Sequence, residues 1–136
     1  MPQNITTGSK ALVEAAEKEI ETIPTGEAIK LAGNPNVVLV DIRDIRELQR
    51  DGKIPGAVHA PRGMLEFWID PGSQYHKPVF AQDKKYVFFC AGGLRSALAA
   101  HTAQQMGMKP IAHIAGGFSA WKKAGGPVEA AEPKKP

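Results

Sequence analysis

The chain has a single cysteine, Cys90, among its 136 residues. One thiol excludes an intramolecular disulfide, and it cannot build a cysteine-rich zinc centre. The four histidines, His59, His76, His101 and His113, show no ligand-like pairing with it or with each other. No metal and no cofactor is therefore expected. Long apolar runs are also missing. No stretch approaches the roughly 20 apolar residues of a membrane span. The opening MPQNITTGSK holds no apolar segment of the kind a secretion signal requires. The expectation is a protein without membrane contact, in a reducing, cytoplasmic setting that suits a lone thiol. A strong charge of one sign is lacking as well. Seventeen basic residues against 14 acidic ones leave a net charge of +3. The basic residues are scattered, with no aromatic-interleaved stripe, so no nucleic-acid partner is expected. Mild basicity can still raise the local concentration of small anions.

What is present suits a globular domain. Apolar residues make up 43% of the chain, near the usual share. The length points to one domain able to bury its own core. The pattern divides it into an N-terminal helical extension over 1–18, a domain over 19–128, and a Pro/Lys/Glu tail over 129–136 that carries the Lys134-Lys135 pair.

Within the domain, apolar runs alternate with helical patterns. Ser9 is read as the cap of a first helix, with Leu12, Val13, Ala16 and Ile20 at near-helical spacing. Residues 21–24 look extended, and Thr25 is read as the cap of a helix reaching Ala32. The runs 37–40, 86–89 and 111–114 are continuously apolar or β-branched, as strands buried on both faces are. A short strand is expected at 57–60. Helices are expected at 44–50, 64–68, 96–106 and from Gly116-Gly117 through Lys122. Residues 62–82 are the least regular stretch, either a lid or packed core. This alternation predicts an α/β fold with a central, mainly parallel sheet.

The informative segment is YVFFCAGGLRS, residues 86–96. A buried strand delivers Cys90 to its carboxyl end, where ligands bind in open α/β sheets. Glycines then permit a sharp turn, and a helix begins. Successive N–H groups in such a turn make an anion-binding nest, and the helix start adds partial positive charge. Both favour a thiolate at Cys90. Ala91, Gly92, Gly93, Leu94, Arg95 and Ser96 are thus the expected anion-binding loop, with Arg95 bracing it or meeting substrate charge. A lone cysteine after an apolar strand is more often inert core. A core cysteine, however, gains nothing from a glycine turn with an arginine at its mouth.

CAGGLR at 90–95 resembles the Cys-x-x-Gly-x-Arg loop of rhodanese domains. VDIR at 40–43 resembles that family's Val-Asp-x-Arg strand end, and GKIPGA at 52–57 its Gly-His-Ile-Pro-Gly-Ala turn. GGFSAW at 116–121 resembles its Gly-Gly-x-x-x-Trp close. The motifs run in family order from about Val37 to Val128. The resemblance implies a parallel sheet with helices on both faces. It also implies transfer of a sulfane sulfur from a donor such as thiosulfate, through a Cys90 persulfide, to cyanide or a thiol. Lys53 replaces the usual histidine and Leu48 a common aromatic. The loop is uncharged between Cys90 and Arg95, and Glu47 stands where two-domain thiosulfate enzymes place an arginine. These departures widen the donor class to glutathione persulfide or a protein persulfide partner.

Other residues carry smaller roles. Asp41 and Arg43 are expected to support the loops at the strand end, with Glu47 a partner for Arg43 across a helical turn. Arg62, Phe67, Trp68 and His76 are a candidate substrate pocket, with Tyr75 beside them and satellite core packing as the alternative. His59 is placed near the mouth. His101 and His113 are read as structural, and Trp121 as a core anchor. Two other functions compete: a sulfur-carrier or binding module without turnover, and a phosphatase or arsenate reductase. Related phosphatases use a longer Cys-to-Arg loop, since a phosphate needs room for three equatorial oxygens.

Overall fold

The computed structural model describes residues 2–131. Its centre is a five-stranded, all-parallel sheet in the order β1-β5-β4-β2-β3. The strands are β1 (Glu21–Ile23), β2 (Val37–Asp41), β3 (Val58–His59), β4 (Lys85–Phe89) and β5 (Ile111–Ile114). The helices are α1 (Ser9–Glu19), α2 (Thr25–Ile29), α3 (Ile45–Asp51), α4 (Leu65–Ile69), α5 (Leu94–Gln105) and α6 (Gly117–Lys123). No described helix is long and apolar enough to cross a membrane.

Side chains alternate across a strand, so each strand feeds two core layers. One layer gathers Val38, Val40, Tyr86, Phe88 and Ile111 with Val13 and Ala16 of α1, Leu65 of α4 and the alanines of α5. The other gathers Leu39, Val87, Phe89, Ala112 and Ile114 with Ala28 of α2 and with Phe118 and Trp121 of α6. Trp121 is fully buried, and its indole N–H donates to the Pro127 carbonyl at 2.8 Å. It is the expected core anchor.

Helix starts differ from the sequence reading. Gly8, in extended backbone, is the N-cap of α1, and Ser9 makes no side-chain cap. Pro24 holds that position before α2, while the Thr25 hydroxyl donates to the Ala115 carbonyl at 3.0 Å. α2 stops at Ile29 because the next amides, of Leu31 and Ala32, bond back three residues and close turns. α5 starts two residues early, at Leu94, because Gly93 takes the left-handed conformation (φ 102°) that ends the loop.

Residues 62–82 are more ordered than a simple loop. They hold two 3-10 turns, Arg62–Met64 and Pro78–Ala81, around α4, and bury Leu65, Ile69 and Phe80. Glu129, assigned to the tail by sequence, pairs with Lys53 through two backbone hydrogen bonds of 2.8 Å. Residues 132–136, including the Lys134-Lys135 pair, lie outside the described residues.

Candidate active site

Cys90 follows β4 directly and keeps its alternation. Tyr86, Phe88 and Cys90 share the layer beneath α5. Its sulfur is only 1% exposed, but its surroundings are not purely apolar. The Gly93 amide donates to Sγ at 3.1 Å and the Ser96 amide at 3.4 Å. The Cys90 thiol donates to the Ser96 hydroxyl oxygen at 3.6 Å. Of the six loop residues predicted from sequence, Gly93 and Ser96 thus place hydrogen-bonding groups on Sγ.

The loop has an anchored half and an exposed half. At the anchored end, the Phe118 amide donates to the Cys90 carbonyl at 2.7 Å and the Ser119 amide to the Ala91 carbonyl at 3.0 Å. This requires α6 to approach very closely. Gly117 makes it possible, at φ 60°, since a Cβ there would sit 2.8 Å from the Ala91 backbone. At the other end Gly92 is exposed and Leu94 is 66% exposed.

Arg95 is paired with a residue that the sequence reading gave to Arg43. Its guanidinium makes a bidentate pair with Glu47, at 2.7 and 2.9 Å. The same carboxylate accepts the Asp44 amide at 3.2 Å and completes a capping box on α3. The Arg95 pair, chiefly, holds the Glu47 carboxyl below the usual glutamate range, and Glu47 in turn raises Arg95, with a smaller contribution from Cys90. Because the folded-state value is depressed, this contribution to stability is present above the unfolded carboxylate range. It is lost as pH falls through the depressed value. Glu47→Gln is thus expected to cost no more than about 1 kcal/mol near neutrality, as the pair is partly solvated. The difference from the parent should vanish in acid. Urea denaturation of both proteins at the two pH values checks it, and a pH-independent difference would disprove the pairing.

Arg43 does not meet Glu47. It folds back onto Asp41, donating from its backbone amide (3.0 Å), Nε (3.0 Å) and Nη2 (2.8 Å). Nη2 also donates to the Gly52 carbonyl at 2.9 Å, and the guanidinium carbon lies 4.1 Å from the centroid of the Phe118 ring. Both side chains are 1% exposed, on the α6 side of the sheet rather than the sulfur side. They tie the β2 end to the 52–57 turn.

Of the residues of the expected substrate pocket, Arg62 and Trp68 have partners of their own. Arg62 pairs with Glu66 at 2.7 Å, Phe67 and Tyr75 are half exposed, and Trp68 packs against the core with the Lys77 ammonium 4.9 Å from its ring centroid. His76 Nδ1 is buried without a partner, and His59 Nε2 contacts the Arg43 carbonyl at 2.7 Å. Two concavities adjoin the loop: a cleft of about 440 Å³ between α1 and the start of α5, lined by Val13, Glu14, Glu17, Leu94, Arg95 and Leu98, and one of about 430 Å³ beside Ala91, lined also by Phe118, Ser119, Lys122 and Lys123.

Sequence reasoning missed what stands behind the sulfur. His113 Nδ1 lies 3.0 Å from Ser96 Oγ. Its Nε2 lies 3.1 Å from Thr22 Oγ1 and 3.7 Å from Glu17 Oε2. Burial pushes His113 below the ordinary histidine value, and Glu17 opposes that shift. A polar residue within the apolar run IAHI was the available signal.

Comparison with known proteins agrees with this architecture. The family model described as Rhodanese-like domain matches residues 25–124. A mouse protein named thiosulfate sulfurtransferase/rhodanese-like domain-containing protein 3 is 30% identical over 70% of this chain, and the chain spans 64% of that protein's length. A solved structure from Rhodopseudomonas palustris, described as a possible tyrosine phosphatase of unknown function, is 64% identical with a TM-score of 0.92, covering 95% of this chain and 99% of its own. The polysulfide-sulfur transferase homodimer of Wolinella succinogenes is 32% identical with a TM-score of 0.68, covering 90% and 87%.

Proposed function

Since the chain belongs to the rhodanese-like domain family, we propose that it is a sulfurtransferase that carries sulfane sulfur as a persulfide on Cys90. One observation carries this reading: a sulfur sheltered from water receives the Gly93 and Ser96 amides. Those donors favour sulfur in its anionic form, which is both the nucleophile and the leaving group. The Cys90 thiolate attacks the outer sulfur of the donor. The donor's sulfur–sulfur bond breaks, its electron pair departs with the remainder, and the transferred sulfur stays on Cys90. A thiolate or cyanide then attacks that outer sulfur, and Cys90 leaves as the thiolate it was.

The mouth favours a donor of low charge density. Leu94 stands exposed over it and Arg95 is engaged by Glu47. Glutathione persulfide or a protein persulfide suits this better than thiosulfate, and a cellular thiol is the acceptor. Mass spectrometry of the intact chain after exposure to each donor provides the test. Glutathione persulfide is expected to add one sulfur atom at Cys90 faster than thiosulfate does. Absence of a sulfur adduct with every donor would overturn the reading.

The relative from Rhodopseudomonas palustris raises phosphate-ester hydrolysis as a second reading. Four residues separate Cys90 from Arg95, and that guanidinium is already paired with Glu47. Both features support a cradle for one sulfur over one for a phosphoryl group. Hydrolysis of p-nitrophenyl phosphate outpacing sulfur transfer would reverse the preference. A carrier module would load from one partner and lack turnover with free donor and acceptor.

A further inference from the structure

We propose that Ser96, His113 and Glu17 form a proton relay that takes the thiol proton of Cys90 away from the occupied mouth to solvent. The inference rests on the sulfur-transfer reading above, since it supplies the thiolate which that reading uses.

The sheet places these groups together. Cys90 continues the alternation of Tyr86 and Phe88, and His113 continues that of Ile111, so both project into the layer under α5. The register pairs Phe88 with His113 and Thr22 with His113. Ser96, in the first turn of α5, stands between them. The resulting path runs Cys90 Sγ to Ser96 Oγ (3.6 Å) and Ser96 Oγ to His113 Nδ1 (3.0 Å); His113 Nε2 then meets Thr22 Oγ1 at hydrogen-bond distance (3.1 Å) and Glu17 Oε2 at ion-pair distance (3.7 Å), so the last transfer needs Glu17 to close on the ring. The His113 side chain is 2% exposed and that of Glu17 is 43% exposed. The path therefore starts at a sealed sulfur and ends at a carboxylate in the cleft between α1 and α5.

The proton balance is simple. The Cys90 S–H proton passes to Ser96 Oγ as the Ser96 hydroxyl proton passes to His113 Nδ1. Ser96 ends neutral with its O–H turned to the thiolate, and His113 ends as an imidazolium facing Glu17. The proton then leaves through the carboxylate. Burial keeps the ring in the neutral form that can accept a proton. From the elements packed around the ring, α1 presents Glu17, α5 presents Ser96, β1 presents the uncharged Thr22 and β4 the uncharged Phe88. No second carboxylate or cation is recorded against it among the described residues. The need for such an exit follows from the burial of Cys90: a donor seated over Leu94 leaves the thiol no water to ionise into.

Ser96 touches the reacting sulfur, whereas His113 and Glu17 act through it as positioning residues. The test reads the rate of sulfur loading at Cys90 by intact-mass spectrometry of quenched samples of the full chain, with glutathione persulfide as donor and across pH. His113→Asn keeps a polar atom toward Ser96 but cannot hold the proton. Near neutrality it is expected to load about a hundredfold more slowly, the low side of what proton transfer contributes. The gap should narrow in alkali, where the proton needs no relay. Ser96→Ala and Glu17→Gln should slow loading the same way, Glu17→Gln least. An unchanged rate in His113→Asn, or a slowed rate that alkali does not recover, reduces His113 to scaffold and overturns the relay. If His113→Asn does not fold, unchanged rates in Glu17→Gln and Ser96→Ala overturn it equally. Failure of the parent chain to load from any donor removes the sulfur-transfer reading and the relay with it, whereas loading at parental rate in all three variants removes the relay alone.

Discussion

Cys90→Ser is expected to lower cyanide-dependent thiocyanate release by at least about a thousandfold, to background, with every sulfane donor. No other thiol in the chain can take over, because Cys90 is the only one. A serine hydroxyl is a weak nucleophile toward sulfur at ordinary pH, and its alkoxide would be a poor leaving group in the second half of the reaction. The fold should survive. A serine oxygen can accept the same Gly93 and Ser96 amides that now meet Sγ. The smaller atom leaves some packing unfilled, a loss on the order of 1 kcal/mol. Circular dichroism and the sulfur adduct mass are to be measured on the same sample. Residual transfer by folded Cys90→Ser would place the chemistry elsewhere and end the proposal.

Asp41→Ala should have the largest effect on stability, about 3–5 kcal/mol by denaturant unfolding. The Asp41 carboxylate accepts three separate groups of Arg43, and both side chains are 1% exposed. Removing it leaves a sealed guanidinium with the Gly52 carbonyl and the face of Phe118 as its company. Neither balances a full charge out of water. Against a typical domain stability of roughly 5–15 kcal/mol, the loss is severe. The double variant Asp41→Ala/Arg43→Met should recover most of it, since removing both charges removes the desolvation cost along with the attraction. Sulfur loading per folded molecule should stay unchanged, because the pair lies on the other face of the sheet from Sγ. A loss below about 1 kcal/mol in the single variant would show that water reaches Arg43 after all.

The strands were legible because they are apolar and β-branched, and the turns because glycine and proline punctuate them. VVLV, YVFF and IAHI became β2, β4 and β5 with at most one residue added. The Cys90 loop was legible for the same reason: a strand, a glycine pair and a helix in succession leave few backbone paths. Helix caps were less so. Ser9 and Thr25 have the right chemistry, but Gly8 and Pro24 already provide the extended backbone before each helix. Thr25 is instead claimed by a carbonyl ninety positions away. Partners across the fold were invisible for that reason. Glu47 reads as a local mate for Arg43, and only the approach of α5 to α3 gives it Arg95. In IAHI, alternation tells which residues His113 shares a face with. It cannot tell that Ser96, Thr22 and Glu17 arrive from three other elements. For the 62–82 stretch the sequence left two readings, a pocket or satellite packing. α4 buries Leu65 and Ile69 and packs Trp68 against the core, while Phe67 stays half exposed.

The uneven tethering of the Cys90 loop has a mechanical corollary. The main chain at Cys90 and Ala91 is clamped to the start of α6, while Gly92 and Leu94 are exposed. The two halves should therefore answer differently to substitution. A side chain added at Gly92 meets open space, whereas one added at Gly117 would push on the main chain that carries Cys90.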